Sequence, residues 1–274
     1  MVGQYLGKAL RQTVVIETRP GASGIIAAGT VAKAAPDGYT LLIAVSSLAI
    51  NPYIQKNIPY DVATDFAPII HITTYPFVMV VNRDVPAASV QDLIALAKAK
   101  PGALNLASAG NGSPPHLAGE LFKTATGVNL VHVPFAGSPA AVVALVAGHM
   151  QVMLDGMPSL LTHIKSGRLR PLAAASAQRN SLLPDLPTFA ELGYKEMNVG
   201  LWIGLLAPAK TPNAVVSRLN SEINRLLETP EVRDNFLAQG ADVIGGTPAQ
   251  FAEFMQKEQV RWGPVVKRIG LKVD

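Results

Sequence analysis

Glycine, serine, asparagine and aspartate gather in five short runs of this 274-residue chain, each just after an apolar stretch. The runs are Pro20-Gly21-Ala22-Ser23-Gly24, Ser46-Ser47, Ser108 through His116, Phe135-Ala136-Gly137-Ser138-Pro139, and Asp155-Gly156-Met157-Pro158. Their chemistry is that of neutral hydrogen-bond donors. Gly110, Gly112 and Gly137 let a ligand approach the backbone closely, and Ser108, Asn111 and Ser113 add side-chain donors. Where such a run opens a helix, its free N–H groups and the positive end of the dipole form an anion site. That suits a carboxylate held reversibly. Each run also has a plainer role. Pro20 to Gly24 makes a tight turn with Ser23 as a cap, and Ser138 caps a helix opened by Pro139. Ser113 caps a helix with Pro114 in its first turn, while His116 packs. Asp155 either caps the segment after it, accepts from a ligand hydroxyl or amine, or orients a bound water.

Catalytic patterns are missing. The five histidines, His71, His116, His132, His149 and His163, form no H-E-x-x-H and no carboxylate pairing at metal spacing. His132 lies in an apolar run and reads as structural. Ser113 with His116 suggests a hydrolase, but there is no G-x-S-x-G elbow and no evident orienting acid. The 108–116 run lacks the Lys-Ser/Thr ending of a phosphate loop. It also lacks the third glycine and acidic partner of a dinucleotide site. There is no cysteine, which removes a thiol nucleophile, disulfides and thiolate zinc sites. The chain reads as a binding protein, not an enzyme, with no metal and no cofactor.

The elements that must position these runs follow a strand–turn–helix rhythm. Strands are expected at Val14 to Glu17, Tyr39 to Val45, Phe77 to Val81, Leu104 to Ala107, Val131 to Val133, Met150 to Leu154 and Leu169 to Ala175. The chain opens in a helix with Val2, Tyr5, Leu6, Ala9 and Leu10 on one face. Ser89 caps a helix that Pro101-Gly102 stops. The last third reads as helical, with helices opening near Pro212, Pro230 and Pro248. Continuous apolar strands alternating with helices imply a parallel sheet covered on both faces, with ligands beyond the strands' carboxyl ends.

Composition agrees with an α/β protein of one large or two modest units. Hydrophobic residues make up 49% and charged residues 15%, which excludes a disordered chain. The net charge is +4, but lysines and arginines are scattered and form no nucleic-acid arm. No apolar run reaches the ~18 residues of a membrane span. The start Met1-Val2-Gly3-Gln4 lacks the regions of a signal peptide.

A resemblance runs through nearly the whole chain. It is carried by Glu17 to Gly24, Pro36-Asp37-Gly38-Tyr39-Thr40-Leu41-Leu42, Gly110 to Ser113 with His116-Leu117, and Val133-Pro134-Phe135 with Gly137. It continues through Ser166 to Arg170 with Leu172-Ala173, Pro184 to Thr188 with Glu191 and Gly193, Trp202, and Ala207-Pro208-Ala209. In this order the motifs resemble the periplasmic solute-binding proteins of tripartite tricarboxylate transporters, the TctC-like or Bug receptors. The resemblance implies the type II periplasmic-binding-protein fold: two α/β lobes around a ligand cleft, residues 1–77 plus 206–274 forming the first and 78–205 the second. It implies a monomeric periplasmic receptor that captures a small organic carboxylate and hands it to the transporter's membrane components, with no nucleic acid involved. The alternative roles are a ligand-sensing module for a signalling partner and, behind it, a serine hydrolase-like enzyme. Carried over by motif, the ligand-binding residues are Ser46, Ser47, Ser108, Gly110, Gly112, Ser113, Ala136, Gly137 and Asp155, with Phe135 and Trp202 walling the cleft. Relative to the family, the chain reads as N-terminally shortened: Met1 falls within the family's first helix, after its signal peptide, first strand and first ligand loop.

Overall fold

The computed structural model describes residues 2–19 and 21–271. Met1, Pro20 of the first glycine-rich run, and residues 272–274 at the end of the expected first lobe lie outside the described residues.

The organising element is one long strand, β2 (Phe66–Asn82), 17 residues of mostly β-branched and aromatic type. Ile69, Ile70, Ile72 and Val78 to Val81 on it are wholly buried, so both of its faces are covered. Its first part pairs antiparallel with β7 (Gly200–Pro208) and β8 (Asp242–Gly245). Its second part pairs antiparallel with β5 (Val152–Gly156) and β6 (Leu169–Ala175). The change of partners falls at a proline. Pro76 is the last residue matched to β7, opposite Gly200, and Phe77 is the first matched to β5 and β6. Proline has no N–H to give a ladder, so its place is where one ladder ends and another begins.

β1 (Leu42–Val45) continues the first half of the sheet by pairing antiparallel with β7. β3 (Asn105–Ser108) and β4 (Val131–Pro134) continue the second half, β3 lying parallel to both β4 and β5. The strand order is β1-β7-β2-β5-β3-β4, with β6 and β8 also on β2.

Helices cover the faces. In the first half, α1 (Val2–Leu10), α8 (Asn213–Glu228) and α9 (Pro230–Ala238) bury Leu6, Val216, Leu219, Ile223 and Phe236 against Ile69, Ile70 and Ile72. On the opposite face lie α2 (Ile25–Ala32), α3 (Ser47–Ile54) and α10 (Pro248–Ile269). In the second half, α4 (Val90–Ala99) and α5 (Pro114–Thr126) cover one face, and α6 (Ser138–Val146) and α7 (Met157–Lys165) the other. Trp202, Trp262, Phe251, Phe122 and Phe189 are among the largest side chains wholly inside. Each such side chain contributes on the order of 2–3 kcal/mol by leaving water.

Several expectations are corrected. Val14 to Glu17 is not a strand: it has no ladder partner among the described residues, and Val15 and Ile16 stand 81% and 74% exposed. A β-branched run makes a strand only beside another strand. Tyr39 to Leu41 also lie outside β1. The sheet is mixed, not parallel, because β2 runs against β5, β6, β7 and β8. The last third is not purely helical. It holds β8, whose half-exposed pattern lacks the apolar run that marks a buried strand.

Candidate functional site

The sheet itself brings the glycine-rich runs together. β1 and the first part of β2 both run antiparallel to β7, so β1 ends, at Val45, toward the Pro76 junction. β5 runs antiparallel to the second part of β2 and ends, at Gly156, opposite Phe77. β3 and β4 run with β5. The carboxyl ends of β1 from one half and of β3, β4 and β5 from the other therefore face the same junction. Each is followed by a helix N-terminus: α3, α5, α6 and α7. This is where an open α/β sheet receives a ligand, and four dipole ends there favour an anion.

Ser46 sits at the junction. Its buried hydroxyl donates to Gly200 O (3.1 Å) and accepts from Trp202 N–H (3.0 Å), tying the end of β1 to the start of β7. Ser47 is half-buried as the first residue of α3. The glycine-rich segment 21–24 lies beside it: Asn51 Nδ2 on α3 donates to Ser23 O, 3.2 Å away. Gly21, Ala22, Ser23 and Gly24 all have positive φ, so this turn is tightly coiled, as its composition predicts.

The 108–113 loop is closed on itself. Ser113 Oγ donates to Gly110 O (2.7 Å) and caps α5 by accepting from His116 N–H. Ser113 N–H also bonds Gly110 O, and Gly110 N–H bonds Ser108 Oγ. Gly112 N–H donates to His116 Nδ1 at 3.0 Å. Both glycines are in the positive-φ region, 125° and 74°, which explains their identity. The amides of Gly110, Gly112 and Ser113 are thus engaged in shaping the loop. Behind it lie two stacked imidazoles, His116 and His132, with ring centroids 3.7 Å apart and planes 8° apart. His132 Nε2 is 2.6 Å from Ser108 Oγ. The sequence reading has these histidines as packing and structural residues. Their pairing was not visible there, because it depends on β3 and β4 lying side by side.

Phe135 N–H bonds Ser108 O, which places the 135–138 loop against the 108–113 loop. Phe135 is half-buried, Ala136 exposed and Gly137 half-buried with φ 99°. Asp155, at the end of β5, is 5% exposed, and its Oδ1 accepts from Gly156 N–H at 2.7 Å. Burial pushes its carboxyl above the ordinary aspartate range, against the opposing pull of the Ser138 hydroxyl, the Gly156 amide and the Ser159 hydroxyl. Ser108, Gly110, Gly112, Ser113, Phe135, Ala136, Gly137 and Asp155 therefore share one edge of the second half. Ser46 and Ser47 lie across the junction, and Gly200 is a residue of that junction which sequence reading missed.

Trp202 stands apart. It is 1% exposed and packs edge-on against His71, Phe251 and Phe254 inside the first half. It helps line a cavity of about 410 Å³ on the β8 side of the junction, together with Thr74, Arg179, Asp242, Glu258 and Arg261. No group of three or more metal-ligating side chains occurs among the described residues. None of the described helices is long and apolar enough to cross a membrane.

Two α/β halves joined through β2 and through the segment at Val199 that leads into β7, with loop clusters facing each other at the join, define a solute-binding protein of the type II periplasmic-binding-protein fold. Comparison with known proteins sharpens this. The family model described as "Tripartite tricarboxylate transporter family receptor" (TctC) matches residues 1–271, and the chain belongs to that family of receptors. It is 39% identical to protein BugT of Bordetella pertussis over 100% of this chain and 84% of that protein. Among solved structures it is similar to an R. palustris protein with adipate (34% identity, TM-score 0.87, 99% and 91% of the two chains covered). It is also similar to MatC from Rhodopseudomonas palustris with bound malate (31% identity, TM-score 0.81, 97% and 92% covered).

Proposed function

We propose that this chain is a periplasmic receptor that captures a small organic carboxylate and releases it unchanged to the membrane components of a tripartite tricarboxylate-type uptake system. The observation that carries the reading is the convergence of four strand ends and four helix N-termini on the Pro76 junction. The candidate contacts there, apart from Asp155, are uncharged, which suits an anion that must later leave. The malate and adipate held by two relatives of the same fold support a dicarboxylate as the solute. The lobes of this reading are residues 1–77 with 206–274, and 78–205. They close on the ligand by bending where β2 and the segment leading into β7 pass between them.

The test is a thermal-shift series with adipate, malate and a panel of monocarboxylates. A ligand that binds only the native state stabilises it by RT ln(1 + [L]/Kd), about 2.7 kcal/mol at a hundredfold excess over Kd. At least one dicarboxylate should raise the melting temperature in a dose-dependent way and be recovered intact by mass spectrometry. A well-folded protein that no carboxylate stabilises, or a ligand recovered chemically altered, would refute the reading.

A further inference from the structure

We propose that His116 and His132 are positioning residues for the 108–113 loop, holding it from behind as a neutral stacked pair and letting it go when the pair takes up a proton. The proposal rests on the reading of that loop as part of the ligand site.

A hydrogen bond assigns the protonation state of His116. Gly112 N–H can only donate, so His116 Nδ1, 3.0 Å away, must be the acceptor. The ring is then neutral with its proton on Nε2, which lies 3.9 Å from Glu120 Oε1. A proton added at Nδ1 would set two donors against each other and free Gly112. The second ring acts on the start of the same loop. Ser108 Oγ meets His132 Nε2 and also accepts from Gly110 N–H. One histidine thus grips each end of a segment whose glycines hold positive-φ conformations.

The surroundings oppose charge on the pair. The rings are parallel and 3.7 Å apart, so a second imidazolium would lie directly on the first. From α5, Lys123 faces the pair, and its partner Glu120 is already taken up in an ion pair of 2.7 Å. From the end of α10, Arg268 lines the same depression with Thr124 and Ile269. From β3, the Ser108 hydroxyl meets the pair. Burial, His132 and Lys123 hold His116 down at about 4, and burial lowers His132 as well. Glu120 alone pulls His132 the other way.

Amide substitutions separate this role from plain packing. Asparagine places its side-chain oxygen where Nδ1 stands and keeps an acceptor for Gly112; glutamine places its amide where Nε2 stands and does not. At pH 7.5, with adipate as probe, H116Q should bind ~10-fold more weakly than wild type, as expected for a lost buried hydrogen bond. H116N should stay within about threefold. Affinity unchanged in H116Q, or equal loss in both variants, would overturn the proposal. A second measurement needs no variant and no ligand. In ¹⁵N-labelled wild-type protein at pH 7, His116 should be the Nε2–H tautomer. On acidification its ring and the Gly112 amide should shift together near pH 4. A charged or Nδ1–H ring at pH 7, or a Gly112 amide that ignores the ring's titration, would defeat it. If neither adipate nor malate binds wild type, the receptor reading loses its support, while the tautomer and amide titration still decide the positioning role.

Discussion

Asp155 shows how much a residue's role depends on what surrounds it. Its type and place at a strand end are plain in the sequence, but its burial is not. Burial raises its carboxyl's pKa in the native state, so the folded protein holds that proton more tightly than the unfolded chain does. The sign follows. Its contribution is most favourable below the ordinary aspartate pKa and declines as pH rises through the raised value. Asp155→Asn removes the titration and retains an acceptor for Gly156 N–H. In urea unfolding, the stability of D155N relative to wild type should increase from pH 4 to pH 8, and a gap constant with pH would contradict the burial argument. Capping signals were legible only in part: Ser138 is the first residue of α6 behind an N-cap Gly137, and Gly24, not Ser23, stands at the cap of α2, neither helix having a side-chain cap bond. Ser89 accepts from Asp92 N–H at the start of α4, and Ser113 from His116 N–H at the start of α5, as their types and the following sequence predict. Ser46 was legible only in part. Its chain neighbours mark a strand end, but its two partners, Gly200 O and Trp202 N–H, lie more than 150 residues away.

At the scale of elements, helices were easier to read than strands. α8 carries Val216, Leu219, Ile223 and Leu227 on one buried face, and that spacing is local information. A strand is defined by its neighbour, so Val14 to Glu17 failed as a strand and β8 went unread. β7 went unread too, and it packs unusually closely on α10. A Cβ on Gly204 would lie 2.1 Å from Phe251 Cζ and within 3 Å of both Cε atoms. Gly204→Ala should therefore push Phe251 and α10 off the sheet and cost at least 1–3 kcal/mol. The check is a fall in the urea midpoint with the m-value unchanged. A midpoint equal to wild type would mean that this contact yields freely. The outer edge of β1 is unprotected: it pairs only with β7 among the described strands, and Ile43 on it is half-exposed. Such an edge is a template for another strand.

Over the whole molecule, the histidines set the acid limit. Burial lowers His71 and His116 each to about 4, and it lowers His132. A group depressed in this way contributes stability that is complete above its unfolded value near 6.5 and is lost as pH falls toward the folded one. His71 is the clearest case. It stacks on Phe251 and Phe254, and its Nε2 meets Thr74 Oγ1. Wild-type stability should drop between pH 6.5 and 4, and His71→Gln should flatten that drop. A pH profile as steep in H71Q as in wild type would remove His71 from the account.

The strand β2 also fixes the order in which the chain can finish itself. Every partner that its second part needs, β5 and β6, lies within residues 152–175. Its first part waits for β7 at 200–208 and β8 at 242–245. A chain emerging from the ribosome can therefore complete the second half while the first, although made earlier, still lacks half its sheet. Until about residue 228 has appeared, Ile69, Ile70 and Ile72 lack the cover of α8, and β2 lacks β8 until about residue 245. Apolar surface left open in an incomplete chain is the kind that chaperones cover.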